Sequence, residues 1–165
     1  MGGRTQTLFT AAELTAAGVT AGNLSSIGFD VISNSTQLMN GFTIKMGLTT
    51  ATTLTGTYAT TPTTTVYSTA YAVPGTGWQD ITLTTPFAWN GTSNLLIDIC
   101  YGNTQYSTDS PVKATAAAGM TTGYYADVQT ACSQFTGTAQ ANRPNTRFGL
   151  QPVSPNLPVR VSITP

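Results

Sequence analysis

Ile27-Gly28-Phe29-Asp30-Val31 and, a short way on, Phe42-Thr43-Ile44-Lys45-Met46 set an apolar side chain at every second position. A period of two marks a strand with one buried face, because successive Cβ atoms point to opposite sides of a sheet. The same reading extends in both directions. Thr65 to Val73, Trp78 to Leu83, Leu95 to Tyr101, Gly123 to Val128, Thr146 to Leu150 and Val159 to Ile163 are further strand candidates. Asn40-Gly41, Pro74-Gly75, Asn90-Gly91 and Gly102-Asn103 punctuate them as turns. Strands at this spacing with little helix between them predict an antiparallel sandwich. The abundant threonine fits, since a branched Cβ packs well on a pleated surface.

One stretch asks for a helix. Thr10-Ala11-Ala12-Glu13 is a capping box, and Ala11 to Ala17 are mostly good helix formers. Gly18 falls where a left-handed residue ends a helix. Such a helix is barely two turns long, so packing must hold it, with Leu14 as the expected buried contact. Leu95-Leu96-Ile97-Asp98-Ile99-Cys100-Tyr101 reads as a central strand. Its Asp98 either faces the polar side or lies buried among hydrogen-bond partners. Thr49 to Thr65 is a long polar connection or a weak edge strand.

At 165 residues the chain fits one main domain, enough to bury about 70% of its unfolded surface. Residues 1–150 form the expected sandwich module. Residues 151–158, with Pro152, Pro155 and Pro158, read as an extended linker. Residues 159–165 then start a following domain or return a strand to this one. Only 7% of residues are charged, yet six Phe, seven Tyr and two Trp are interleaved with aliphatic residues. That combination predicts a folded chain with a neutral Thr/Ser/Asn surface rather than disorder.

The charge balance narrows the partners. Net charge is zero, so no basic patch is available for a phosphate backbone or an anionic membrane surface. No apolar run is long enough for a membrane-spanning helix. Two cysteines, Cys100 and Cys132, allow one internal disulfide or two buried thiols. With few lysines and a polar, exported-type surface the disulfide is expected, and with it an extracellular or cell-surface address.

Catalytic patterns are sparse. The chain has no histidine and six carboxylates, among which Glu13 is the sole glutamate. Histidine-dependent triads are therefore impossible. A glycosidase needs two facing carboxyls, and Asp98, Asp109 and Asp127 offer no spacing that singles out a pair. Lys45 and Lys113, the only lysines, give at most a weak case for an internal Lys–Asn/Asp crosslink. Gly102 to Asp109 is oxygen-rich but carries one carboxylate, too few for a calcium loop. A loop with Asx-turns is the better reading, and no metal or cofactor is expected.

Two binding modes stand out. Trp78, Trp89, Tyr106 and Tyr125, with Tyr101 and Tyr124 as further members, are candidates for a ring-stacking surface that would hold a glycan. Both tryptophans serve core packing equally well: Trp78 shares the polar register of its strand with Asp80 and Thr82, and Trp89 follows Pro86-Phe87-Ala88 at a strand end. The second mode is self-assembly, because sheet edges with few Lys or Glu residues lack the usual defence against strand addition.

Several stretches carry a resemblance. They are TLFTAAELTAAGVTAGNLSSIGFD over Thr7 to Asp30, then Phe42-Thr43-Ile44-Lys45-Met46-Gly47, and TPFAWNGTSNLLI over Thr85 to Ile97. Cys100 and Asn142-Arg143-Pro144-Asn145-Thr146-Arg147-Phe148 complete the set. Together, in this order, they resemble a module of large secreted surface proteins of Bacteroidetes. The resemblance implies a jelly-roll-like β-sandwich in an exported, multidomain, adhesin-like or gliding-associated protein, a type IX secretion substrate. Such modules tend to carry an aromatic, Pro/Gly-rich strand ahead of Gln6-Thr7-Leu8-Phe9, and this chain opens almost there. A trimmed start, or a strand supplied by another segment or subunit, is the corresponding expectation.

The reading is thus an all-β, jelly-roll-like antiparallel sandwich with one short N-terminal helix. Its expected role is that of a non-enzymatic extracellular module of an adhesin, filament or stalk. Neighbouring protein modules are its expected partners, and glycan binding is the alternative.

Overall fold

A computed structural model describes residues 1–151, so the linker beyond Gln151 and the strand expected over 159–163 lie outside the described residues. The alternating segments do form strands. In chain order they are β1 (Gly2–Phe9), β2 (Gly22–Val31), β3 (Thr43–Thr49), β4 (Thr64–Ser68), β5 (Gly77–Trp89), β6 (Asn94–Tyr101), β7 (Ala114–Ala126), β8 (Thr138–Pro144) and β9 (Thr146–Leu150). A short helix α1 (Ala11–Ala16) follows β1, and a 3-10 turn (Gln129–Ser133) follows β7.

The strands make two sheets. The larger has the order β4-β3-β6-β1-β7-β8 and the smaller β5-β2-β9, with every neighbouring pair antiparallel. This is the expected antiparallel sandwich with one N-terminal helix. Its strands are divided six against three.

The helix starts where the capping box placed it. Glu13 N–H donates to Thr10 Oγ1 at 3.2 Å, and the Glu13 carboxylate accepts from Thr10 N–H at 2.9 Å. Leu14 is buried and Gly18 takes φ +87° just past the end. A Cβ is strained there, which is why glycine suits the position.

The main core lies between the sheets. Ile44, Met46, Val66, Leu95 and Ile97 of the large sheet face Leu24, Ile27, Ile81 and Leu83 of the small one. Each fully buried side chain of this size contributes roughly 1.5–3 kcal/mol by leaving water. A second, smaller core sits on the outer face of the large sheet. The 50–63 connection folds over it, and Leu54 packs on Leu8 and Leu96. This polar connection is therefore a cover. It is pinned by Tyr58 Oη donating to the Arg4 carbonyl at 2.8 Å and by Gln6 bonding both the N–H and the carbonyl of Ala59 at 2.9 Å.

Asp98 takes the second of its two expected fates. It is 4% exposed and accepts from Arg4 Nη2 at 2.5 Å and Gln6 Nε2 at 2.8 Å. Arg4 goes on to bond the Gln134 carbonyl at 2.5 Å, while Cys100 and Cys132 are joined in a disulfide that ties the 3-10 turn to β6. The alternative of free thiols is excluded in this structure.

Some boundaries differ from expectation. The strand expected from Thr65 ends at Ser68 instead of Val73, and the one expected to stop at Leu83 runs on to Trp89. The strand expected from Gly123 already begins at Ala114. β1 and β8 were not foreseen, because neither alternates. The inner positions of β1 are Gly3, Thr5 and Thr7, with Phe9 alone apolar at its end, and β8 is TAQANRP. β1 nonetheless fills the centre of the large sheet between β6 and β7.

Candidate binding cleft

The inner face of the large sheet changes chemistry across its width. Beneath the small sheet it is aliphatic, while around β1 and β7 it carries glycine, threonine and tyrosine. Gly3 stands directly between Tyr101 on β6 and Tyr125 on β7. A Cβ at position 3 would lie 3.0 Å from Tyr125 Cδ1 and 3.2 Å from Tyr101 Cε1. Both rings thus lean into space that only glycine leaves. Glycine inside a strand often marks such a close approach.

The row continues through Phe42, whose ring centroid is 6.4 Å from Tyr101 and 5.1 Å from Tyr71. At the other end Tyr125 Oη lies 3.0 Å from Thr5 Oγ1. The resulting aromatic wall, Tyr71-Phe42-Tyr101-Tyr125, bounds one side of a cleft of about 250 Å³ between the sheets. Phe29, Val31 and Ile81 of the small sheet line the other side. For scale, a dry cavity of about 150 Å³ accommodates benzene.

Two loops close the third side, 32–42 between β2 and β3 and 102–113 between β6 and β7. They are laced together. The buried Asn103 amide accepts from Asn40 N–H at 2.9 Å and donates to the Leu38 carbonyl at 2.7 Å. Ser107 Oγ donates to Gln37 Oε1 at 2.7 Å, and Ser35 N–H donates to Ser110 Oγ at 2.8 Å. This lacing is what the oxygen-rich Gly102 to Asp109 segment does. Among the described residues no cluster of His, Cys, Asp or Glu could hold a metal ion.

The rim is polar and exposed. Tyr106 and Tyr125 are each more than half exposed at the mouth, and Asp109 lines it between the anchored Ser107 and Ser110. Burial pushes the Tyr101 hydroxyl up to about 12, with the neighbouring Tyr125 and Asp109 adding to the rise. Burial likewise raises Tyr71.

The other carboxylates are engaged elsewhere. Asp30 pairs with Lys113 at 2.8 Å, Asp80 with Arg147 at 2.6 Å, Asp98 with Arg4 at 2.5 Å, and Glu13 with Arg143 at 2.9 Å. Asp127 lies 3.2 Å from the Met1 amino group. Among the described residues Asp109 alone has no ion-pair partner, and it is the only carboxylate lining the cleft. Among the three aspartates considered for a facing pair, Asp98 lies on the opposite face of the sheet and Asp127 is not among the residues lining the cleft. Lys45 stands opposite Asp98 in the β3–β6 register, but Arg4 and Gln6 occupy that carboxylate, so no crosslink is poised there.

The four candidate stacking residues divide. Tyr106 and Tyr125 reach the cleft. Trp89 is 2% exposed, its Nε1 donates to the Ser93 carbonyl at 2.8 Å, and its ring belongs to the core, so it offers no face to a ligand. Trp78 is 40% exposed on the outer face of the small sheet, under the Arg147 guanidinium at 4.9 Å. The two tryptophans therefore share no surface with the two tyrosines. Of the other residues that build the wall, Tyr101 was a further member of the expected stacking set, whereas Phe42 and Tyr71 read only as strand positions in the sequence. The signal that could have found them is Gly3, once β1 is recognised as a strand.

A second recess, of about 300 Å³, lies beside the disulfide and is lined by Arg4, Lys45 and Asp98. Arg4 and Asp98 pair with one another there. Among the described residues no helix is long and apolar enough to cross a membrane. No protein-family model, curated protein or solved structure matches the chain.

Proposed function

We propose that this chain is a non-enzymatic extracellular module of a multidomain surface protein, of the adhesin, filament or stalk kind, and that it holds a ligand in the cleft between its sheets. The observation that carries the reading is the aromatic wall on Gly3, left open beside a polar rim. An apolar pocket with a few convergent polar groups is the default binding site of a fold. The disulfide supports an oxidising address, and the resemblance to modules of secreted Bacteroidetes surface proteins agrees with it. The dispersal of the carboxylates into separate ion pairs favours binding over catalysis.

Assembly through sheet edges is the second reading. It is favoured by β8, an edge strand whose TAQANRP sequence lacks lysine and glutamate. Carbohydrate remains a ligand class for the cleft through Tyr106 and Tyr125.

The test is a ligand screen by NMR on the folded module, using soluble glycans and small aromatic and aliphatic fragments. Binding is expected to shift Tyr101, Tyr106 and Tyr125 resonances and to vanish in Tyr125→Ala, while Trp78→Ala leaves it unchanged. Equal loss in Trp78→Ala, or no shift at any cleft tyrosine, removes the cleft from the function. A module that elutes as multimers lost on placing lysine in β8 would favour the assembly reading.

A further inference from the structure

We propose that the cleft selects a small organic cation, an ammonium group carried on an apolar ring or chain, with Asp109 and the tyrosines of the mouth receiving the charge. This inference rests on the binding reading above and names the ligand class. Three observations carry it.

The first is charge. Among the described residues Asp109 is the one carboxylate with no cationic partner, and it stands at the rim. Met1 also lines the cleft, and its amino group is held by Asp127 and the Gln105 carbonyl. A positive ligand therefore meets an uncompensated negative charge, whereas an anion is repelled by it. The loop that carries Asp109 is laced on either side of it, at Ser107 and Ser110.

The second is the wall itself. Tyr101, Tyr106 and Tyr125 present aromatic rings at the same opening, and the face of an aromatic ring attracts a cation within about 6 Å of its centroid. The raised Tyr101 hydroxyl keeps that ring neutral through the physiological range, so its face acts through the quadrupole.

The third favours an ammonium on an apolar group over a bare sugar. Phe29, Val31, Phe42, Ile81 and Ile99 offer no side-chain hydrogen-bonding group, while Thr5, Thr7, Gln37 and Gln79 line the same cleft and can serve a hydroxyl. A sugar hydroxyl pressed against the five apolar side chains would lose its water without gaining a partner, and that is unfavourable. An alkyl or aryl group has nothing to satisfy there. A quaternary ammonium needs no hydrogen bond at the rim either.

The experiment titrates the folded module with benzyltrimethylammonium, benzyl alcohol, phenylacetate and methyl glucoside, read by NMR at the cleft tyrosines. The cation is expected to bind, the neutral alcohol to bind about tenfold more weakly, and the anion more weakly still. Asp109→Asn is expected to weaken the cation about fivefold without lowering Tm, and to leave benzyl alcohol unchanged. Equal affinity for cation and alcohol, or an unchanged cation affinity in Asp109→Asn, overturns the charge selectivity and leaves the cleft a neutral binding site. Tighter binding of the glucoside than of the cation overturns it in favour of carbohydrate. Failure of all four probes to shift any cleft tyrosine overturns the binding reading and this inference with it.

Discussion

Gly3 and Gly28 occupy equivalent places in the two sheets, and the molecule uses them in opposite ways. Each lies in a strand flanked on both sides, and at each the neighbours reach over the missing side chain. Over Gly28, on the outer face of the small sheet, Asp80 from β5 meets Arg147 from β9 in a two-pronged pair at 2.7 and 2.6 Å. Trp78 then stacks under the same guanidinium. The charges in that row are turned to one another, so the row is closed. Over Gly3, on the inner face of the large sheet, the neighbours are Tyr101 and Tyr125. Two rings fill the gap but leave their faces free, so the row becomes a wall. An omitted Cβ closes a surface when the neighbours are complementary charges, and opens a site when they are aromatic.

The largest test of that contrast is Gly3→Ala. Its Cβ meets two packed rings, so the variant is expected to lose about 1–3 kcal/mol in urea denaturation and to lose ligand binding in the cleft. Unchanged stability with intact binding would break the comparison.

Next in size is the alkaline arm. Tyr101 is raised to about 12 in the folded protein, so the unfolded chain releases its proton first as pH rises. Stability from this group is therefore complete below the ordinary tyrosine value and falls as pH climbs toward about 12, by about 2 kcal/mol. Tyr101→Phe should flatten that fall in denaturation midpoints measured from pH 9 upward.

The smallest effect belongs to the closed row. In Gly28→Ala the Cβ displaces the Asp80 carboxylate, and that group can swing into solvent. The cost is expected to stay below half that of Gly3→Ala in the same urea series. This row answers acid rather than alkali. Bonding to Arg147 lowers Asp80, so its contribution is present above the ordinary carboxylate range and fades as pH falls through the lowered value. Asp80→Asn should remove that part of the acid arm.

The same contrast explains what the sequence disclosed. Ile27 to Val31 and Leu95 to Tyr101 were legible because their buried faces are aliphatic, and an alternating pattern is a record of burial. β1 was not legible because its inner face carries Gly3, Thr5 and Thr7 before its single apolar inner residue, Phe9, and Thr5 and Thr7 line the cleft. The part of the fold that hid from the pattern is the part that forms the site. Trp89 was ambiguous because its strand was read as ending at Leu83. Carried on, the odd positions Ile81, Leu83, Phe87 and Trp89 all point inward, and the even-numbered Trp78 and Asp80 point outward. Tyr106 and Tyr125 were identified by type alone. Their convergence depends on loops and strands distant in sequence, held by side-chain bonds that no local pattern announces.

The disulfide between Cys100 and Cys132 has a mechanical consequence for a chain under tension. β9 is five residues long and, among the described residues, pairs with β2 alone, so a pull toward the C-terminal side strips it first, while β1 is held on both sides. Once the sheets part, the bridge between positions 32 residues apart withholds the intervening segment from the stretched length, on the order of 100 Å of contour. β7, with Tyr125, stays inside that covalent loop. A module built this way has a fixed limit on its extension, and reducing the bridge would lengthen the tether.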